Sequence, residues 1–370
     1  AMKSRFIAGL AVAAAAMSFA APATAQKYDF KVQNDVVGSE PVAQPHPVYP
    51  SKLRRGLEGW VRVNYVITAD GKAEHPIIID SVGGAVFENA VIERMPDWQF
   101  EPPGEELANN TTSIRFEMYR GRDKATTGFM RSSKSVMENL IREDLEDARE
   151  EIDSVFKRGG WNLYESTMLW LIAGRVAGAE GDPAGKLESY RRALGVSNRN
   201  ALDDKGLRDL LRNLFDLEME LGQYAAAART LERLREVPGS DATLEELAEP
   251  GAQLEALLDT GDPLAARARV YSPGNDGGAA PLWTYVPDRR TFSFAALSGN
   301  VERFEVRCER DRLEGPVETG KTWSLPNGAN DCRVFVFGEQ GASFEFVEHP
   351  ETESVDVAAR TAVARSDVLD

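Results

Sequence analysis

Between residues 58 and 120 the chain switches between strand-like and helix-like spacing of its apolar positions. Trp60-Val61-Arg62-Val63-Asn64-Tyr65-Val66-Ile67 puts Val61, Val63, Tyr65 and Ile67 on one face of a strand. Asp70-Gly71 then supplies a hairpin turn. Ala73 to Ser81, with Ile77, Ile78 and Ile79, predicts a second strand that Gly83-Gly84 ends. Phe87, Ala90, Val91 and Arg94 recur at helical spacing, and Pro96 stops that helix. Trp98-Gln99-Phe100 is extended again, and Thr112, Ile114, Phe116 and Met118 alternate along a third strand from Thr111 to Tyr119. The predicted order is strand, strand, helix, strand, with the third strand at a sheet edge and the polar residues 27–45 as an extended lead.

The pattern changes after residue 130. Val136, Leu140, Leu145, Ala148, Ile152 and Val155 form an apolar stripe that predicts one long amphipathic helix, Ser132 to Arg158, closed by Gly159-Gly160. Helical spacing continues to about residue 268, interrupted at Gly181-Asp182-Pro183, Gly222-Gln223 and Gly261-Asp262-Pro263. Residues 272–281 are rich in Gly, Pro and Asn and read as a linker. Strand patterns follow at Phe292-Ser293-Phe294, Phe304 to Cys308, Cys332 to Phe337 and Ser343 to Phe346, which predicts a small all-β domain. The fold class is α+β multidomain: a small ββαβ domain, then α-helical repeats, then a small all-β domain.

Composition narrows the setting. The chain has 370 residues, enough for two or three domains. Its net charge of −16 opposes binding to nucleic acid, whose phosphates need a basic surface, and opposes adhesion to anionic lipid. Lys3 and Arg5 precede an uncharged, Ala-rich run from Phe6 to Phe19, and Ala23-Thr24-Ala25 fits a cleavage site. Residues 1–25 therefore read as a signal peptide, with Gln26 as the mature N-terminus. The rival reading is an uncleaved anchor, since the uncharged run from Phe6 to Gln26 approaches the roughly 20 residues a spanning helix needs. In an oxidising compartment the two cysteines, Cys308 and Cys332, are expected to pair.

Chemical motifs are sparse. His46, His75 and His349 lie far apart, and no H-E-x-x-H, G-x-S-x-G, Walker loop or G-x-G-x-x-G is present. The run Glu143-Asp144 and Glu146-Asp147 reads as a solvated helix face. The expectation is a protein with no enzymatic activity, no metal and no cofactor.

A more specific signal comes from Pro47-Val48-Tyr49-Pro50, Leu53, Gly56-Leu57-Glu58-Gly59, Val61-Arg62-Val63, Asp70-Gly71, Phe87, Ala90-Val91, Arg94, Trp98-Gln99-Phe100 and Pro102. In order and spacing these resemble the C-terminal domain of the TonB energy transducer. The resemblance implies that the third strand accepts an extended peptide of a partner by strand addition. Thr111, Thr112, Ser113, Ile114, Arg115, Phe116 and Met118 would dock it, and Gln44, Pro47 and Tyr49 would form a second contact region. The plainer reading makes Tyr49, Trp98 and Phe100 packing residues and Gly56 and Gly59 turn or close-packing residues.

The helical middle resembles tetratricopeptide repeats. One unit has Trp170, Ala173-Gly174, Ala177, Gly181-Asp182, Leu187, Tyr190 and Ala193-Leu194, and a second has Leu211, Leu214-Phe215, Gly222, Tyr224, Ala227, Leu231, Leu234 and Pro238. A degenerate third unit uses Leu254, Leu257, Gly261 and Ala266. The β segment, with Trp283, Trp323 and the two cysteines, resembles domains that accompany TonB-like modules in some bacterial envelope proteins. The expected boundaries are signal peptide 1–25, linker 26–43, TonB-like domain 44–122, helical repeats 130–270, disulfide-tied β domain 282–348 and tail 349–370.

The leading expectation is a periplasmic protein that recognises an envelope partner, TonB-dependent outer-membrane receptors among the candidates. It associates with the membrane only if its N-terminal segment stays uncleaved. The alternatives are an inner-membrane-anchored energy transducer driving outer-membrane uptake, and a ligand-binding or enzymatic role for the C-terminal β domain. The lead 27–45 spans roughly 60 Å when fully extended as polyproline, short for a transducer that bridges two membranes.

Overall fold

The computed structural model describes residues 28–50, 57–118, 124–198, 200–274, 278–325 and 329–350. The expected signal peptide, 1–25, and nearly all of the tail lie outside them.

The first sheet has the order β1-β6-β3-β4, all antiparallel: β1 is Tyr28–Asp35, β3 Gly59–Ile67, β4 Ala73–Val82 and β6 Leu107–Met118. Two short strands, β2 (Pro41–Ala43) and β5 (Gln99–Phe100), pair beside it. Helix α1, Ala85–Arg94, packs Phe87 and Val91 onto the face that carries Val61, Val63, Tyr65, Ile67, Ile114 and Phe116. Gly59 is required there, because a Cβ would lie 2.5 Å from the Phe87 ring. Trp98 and Phe100 are buried in the same core, the packing role expected of them. Two expectations need correction. The third strand is interior rather than at an edge, and residues 28–35 of the supposed linker form the strand that covers it.

Among the described residues eight helices follow: α2 (Thr127–Ile141), α3 (Leu145–Arg158), α4 (Leu163–Ala179), α5 (Pro183–Val196), α6 (Asp204–Glu220), α7 (Tyr224–Arg235), α8 (Asp241–Glu246) and α9 (Ala248–Leu258). The predicted single helix over 132–158 is two. Glu143 takes a left-handed φ of 61°, and the Asp144 side chain accepts from the Asp147 amide to cap a new start. Helices α4 and α5 pack together, as do α6 and α7, each pair joined through a left-handed glycine, Gly181 or Gly222.

The C-terminal unit has two four-stranded antiparallel sheets that share one core. One has the order β11-β10-β13-β8: β8 is Leu282–Tyr285, β10 Val301–Arg307, β11 Arg312–Pro316 and β13 Arg333–Gly338. The other has the order β12-β9-β14-β7: β7 is Leu264–Arg269, β9 Thr291–Ser298, β12 Thr322–Ser324 and β14 Ser343–His349. Residues 264–269 were expected inside the helical unit. Their alternation, with Leu264, Ala266 and Ala268 buried, instead pairs them with β14. Phe292, Phe294, Phe304 and Phe346 fill the interior, and Cys308 and Cys332 are joined by a disulfide.

The three units dock on one another. Trp60 of β3 belongs to the helical core, and the Arg307 guanidinium donates to Asn64 of β3 at 3.0 Å. Glu58 accepts from the Met118 amide at 3.1 Å and from the Leu163 amide at 2.9 Å, tying β6 to the start of α4. The segment after β7 runs along the β4 edge of the first sheet, where Pro273 accepts from the Ser81 amide at 3.0 Å.

Closing a loop of this size by a disulfide stabilises a fold by about 3 kcal/mol in the chain-entropy model. The Cys308→Ala/Cys332→Ala variant is expected to lose about that much in chemical denaturation. Unchanged stability would show that the bridge adds nothing beyond the aromatic core.

Candidate functional site

The candidate site is β6 with the chain before Tyr49. β1 pairs with β6 from Tyr28↔Met118 to Asp35↔Thr111, so the predicted docking strand already has a partner on each side. Phe30 of β1 packs edge-on against Phe116, and His46 stacks on Phe30. Lys31 forms an ion pair with Glu117.

The centre of this pairing is Asn34. Its amide accepts from the Thr112 hydroxyl at 2.7 Å and donates to Gln44 at 2.8 Å, while Gln44 donates back at 3.2 Å. Thr112 gives its single proton to Asn34, so Tyr65 must be the donor of the 2.9 Å contact between its hydroxyl and Thr112. Burial pushes the Tyr65 hydroxyl well up, which keeps that proton in place. Gln44 and Thr112, predicted to meet a partner together, thus meet on the chain's own β1.

The other predicted residues divide by face. Ile114 and Phe116 are buried in the sheet's core, and Thr111 accepts from Asn64 at 3.2 Å. Ser113 is half-buried opposite Gln33, and Met118 is held through its amide by Glu58. Arg115 points the other way. Its guanidinium donates to the carbonyls of Gly195, Val196 and Ser197 at 3.1, 2.8 and 2.6 Å. These are orphan carbonyls at the end of α5, so Arg115 caps a helix and serves the inter-unit junction. Pro47 is buried, and Tyr49 donates to the Leu57 carbonyl at 2.6 Å and packs on Phe87.

Comparison with known proteins concerns this part of the chain. Residues 45–118 match the family described as Gram-negative bacterial TonB protein C-terminal. A curated relative, Protein TonB of Pseudomonas aeruginosa, is 35% identical over 81 residues, which cover 21% of this chain and 24% of that protein. Residues 45–118 are a TonB C-terminal domain. The chain spans about a quarter of the length of this relative. The solution NMR structure of the Pseudomonas aeruginosa TonB C-terminal domain is 31% identical, covering 23% of this chain and 92% of that one, with a TM-score of 0.21 that supports no statement about the fold.

The TonB domain match begins at residue 45, so β1 lies wholly before it. The signal for β1 was in the sequence: Tyr28-Asp29-Phe30-Lys31-Val32-Gln33 alternates apolar and polar residues. Among the described residues no group of three or more His, Cys, Asp or Glu could hold a metal ion, and no helix is long and apolar enough to cross a membrane.

Replacing Asn34 by Ala removes the hydrogen bonds to Thr112 and Gln44 at a cost of about 1 kcal/mol each. Hydrogen exchange should then quicken at residues 28–35 and along the β1 side of β6, while β3 stays protected. Uniform loosening of the whole sheet would contradict a local clip.

Proposed function

We propose that this chain is a periplasmic protein, linked to TonB-dependent transport, that recognises an extended segment of an envelope partner by strand addition on β6. β1 acts as an internal placeholder. The single observation behind this reading is that the edge of the TonB domain is filled, in register, by eight residues from outside the family-matched region. An open strand edge exposes unpaired amides and carbonyls, and a chain with a recognition edge gains solubility by covering it. β1 suits a removable cover: Lys31, Gln33, Asn34 and Asp35 are exposed, and it sits at the end of the sheet. Elements with so little buried surface open at low free-energy cost. A partner strand with the same alternation regains the backbone bonds that β1 gives up.

In this reading Gln44, Thr112 and Ser113 contact the incoming strand and Phe116 packs beneath it. Arg115 belongs to the inter-unit junction. The outer-membrane receptors of TonB-dependent transport are the partner class we favour. The hairpins α4–α5 and α6–α7 would serve as tetratricopeptide-like scaffolding, supported by the glycine turns and by Gly174, whose missing Cβ lets Tyr190 approach.

Gln33 and Ser113 are opposed in the β1–β6 register, so Gln33→Cys/Ser113→Cys can lock the cover. The oxidised lock should bind periplasmic N-terminal peptides of such receptors at least tenfold more weakly than the reduced form. Equal binding by the two forms excludes displacement of β1.

A further inference from the structure

A second feature stands apart from strand exchange. The three units enclose an open cavity of about 530 Å³, lined by β3, α5, α7, β8 and β13. That size lies within the range of small-molecule sites. Six arginines reach it, and two are accounted for: Arg191 pairs with Glu218 at 2.8 Å, and Arg192 with Glu188 at 2.8 Å and Asp80 at 3.7 Å. The other four, Arg62, Arg229, Arg233 and Arg333, form no ion pair within 4.0 Å among the described residues. The wall's carboxylates are Asp35, Asp80, Glu188, Glu218 and Asp331, so its six guanidiniums exceed them by one positive charge.

This arrangement is unfavourable for the empty protein. Arg229 and Arg233 lie four apart on α7, where like charges repel. Burial, with the positive charges of Arg62 and Arg229 nearby, lowers Arg333 to about 10. Burial also pushes the Asp80 carboxyl up to about 7, against the pull of Arg192, which thins the negative charge further at neutral pH. Two buried polar atoms of the wall, Arg333 Nε and Thr284 Oγ, have no hydrogen-bond partner. Buried polar atoms are rarely left so, and an unplaced ion is one of the ordinary reasons.

The geometry points to a binding site for a compact anion, a small molecule carrying a phosphate or carboxylates, held by Arg62, Arg229, Arg233 and Arg333. Guanidinium forks match phosphate and carboxylate bidentately. A bound anion balances the excess, and Thr284 offers a neutral donor. Trp60 and Trp283 give the cavity aromatic wall for the ligand's body.

The test uses the full chain with inorganic phosphate, pyrophosphate and succinate as probes, titrated at fixed ionic strength by calorimetry and thermal melting. Phosphate stabilises folded proteins generally by exclusion from their surface, so the comparison is with Arg62→Gln/Arg333→Gln and with Arg229→Gln/Arg233→Gln. Saturable binding to the parent chain that weakens at least tenfold in both variants is expected. The ligand-free Arg62→Gln/Arg333→Gln variant should melt no lower than the parent, because a repulsion has been relieved, whereas Arg229→Gln/Arg233→Gln also loses the 2.9 Å hydrogen bond from Arg229 to the Val286 carbonyl. Preference for phosphate or for succinate identifies which anion the site takes. Absence of saturable binding, binding unaffected by either variant, or variants that lose stability without ligand while keeping the phosphate response would each overturn the assignment. So would binding of an acidic peptide in place of all three probes.

Discussion

The backbone pairing of β1 with β6 governs how the N-terminal unit meets its surroundings. Without it, a twelve-residue strand would present one side of its amides and carbonyls to water, a standing template for any other chain. With it, β6 becomes an inner strand, and its polar residues must find partners inside the protein. Thr112 does so through Asn34 and Tyr65, and Thr111 through Asn64. The register also settles which side chains face which layer. Ile114 and Phe116 go to the domain's own core, and Arg115 turns to the end of α5.

That division continues across β3 and explains why the TonB domain is not a free-standing bead. Val61, Val63 and Tyr65 fill its own core, while Trp60, Arg62 and Asn64 on the opposite face meet the helical unit, the cavity and the sandwich in turn. A sheet buried on both faces loses the clean inside-outside alternation of a solvated sheet. Here the second face carries polar and charged residues because it lies against neighbouring units, whose groups must then satisfy them. Gly222 marks the same tight fit elsewhere. A Cβ there would lie 2.2 Å from the Ala265 carbonyl, so the α6–α7 turn touches β7 directly.

Much of this was legible from spacing alone. Period-2 alternation located β3 and the later half of β6, Asp70-Gly71 located the turn between β3 and β4, and the cysteine pair is bridged as expected. The misreadings have local physical causes. The apolar stripe over 132–158 runs through the break at Glu143, since both helices face the same core and the side-chain cap at Asp144 interrupts the backbone, not the stripe. β7 was hidden because Ala-rich alternation, Leu264-Ala265-Ala266-Arg267-Ala268, is weakly apolar and follows a helix closely. β1 falls outside the resemblance because the family pattern starts after it, although its own alternation is plain. The candidate site residues were located by resemblance, but which of them meet another strand depends on a pairing between segments some 80 residues apart, and no local pattern encodes that.

Charge shows why whole-chain quantities mislead about sites. A net −16 is a sum over the whole chain, while the junction of three units concentrates guanidiniums that no single segment of sequence brings together. Arg62 sits between two core valines of β3, Arg229 and Arg233 lie on a helix, and Arg333 follows a disulfide cysteine; each alone reads as an ordinary solvated arginine. Brought together in a wall that holds one carboxylate fewer than its arginines, they cost folding free energy, and natural sequences tend to break local rules of this kind where function requires it. Asp35 connects this cavity to the strand edge. It is the last residue of β1, and its charge attracts Arg62 and Arg333 in the cavity wall. Any process that lifts β1 from β6 therefore also withdraws negative charge from the cavity, so the covered edge and the cationic hollow share an electrostatic link through one residue.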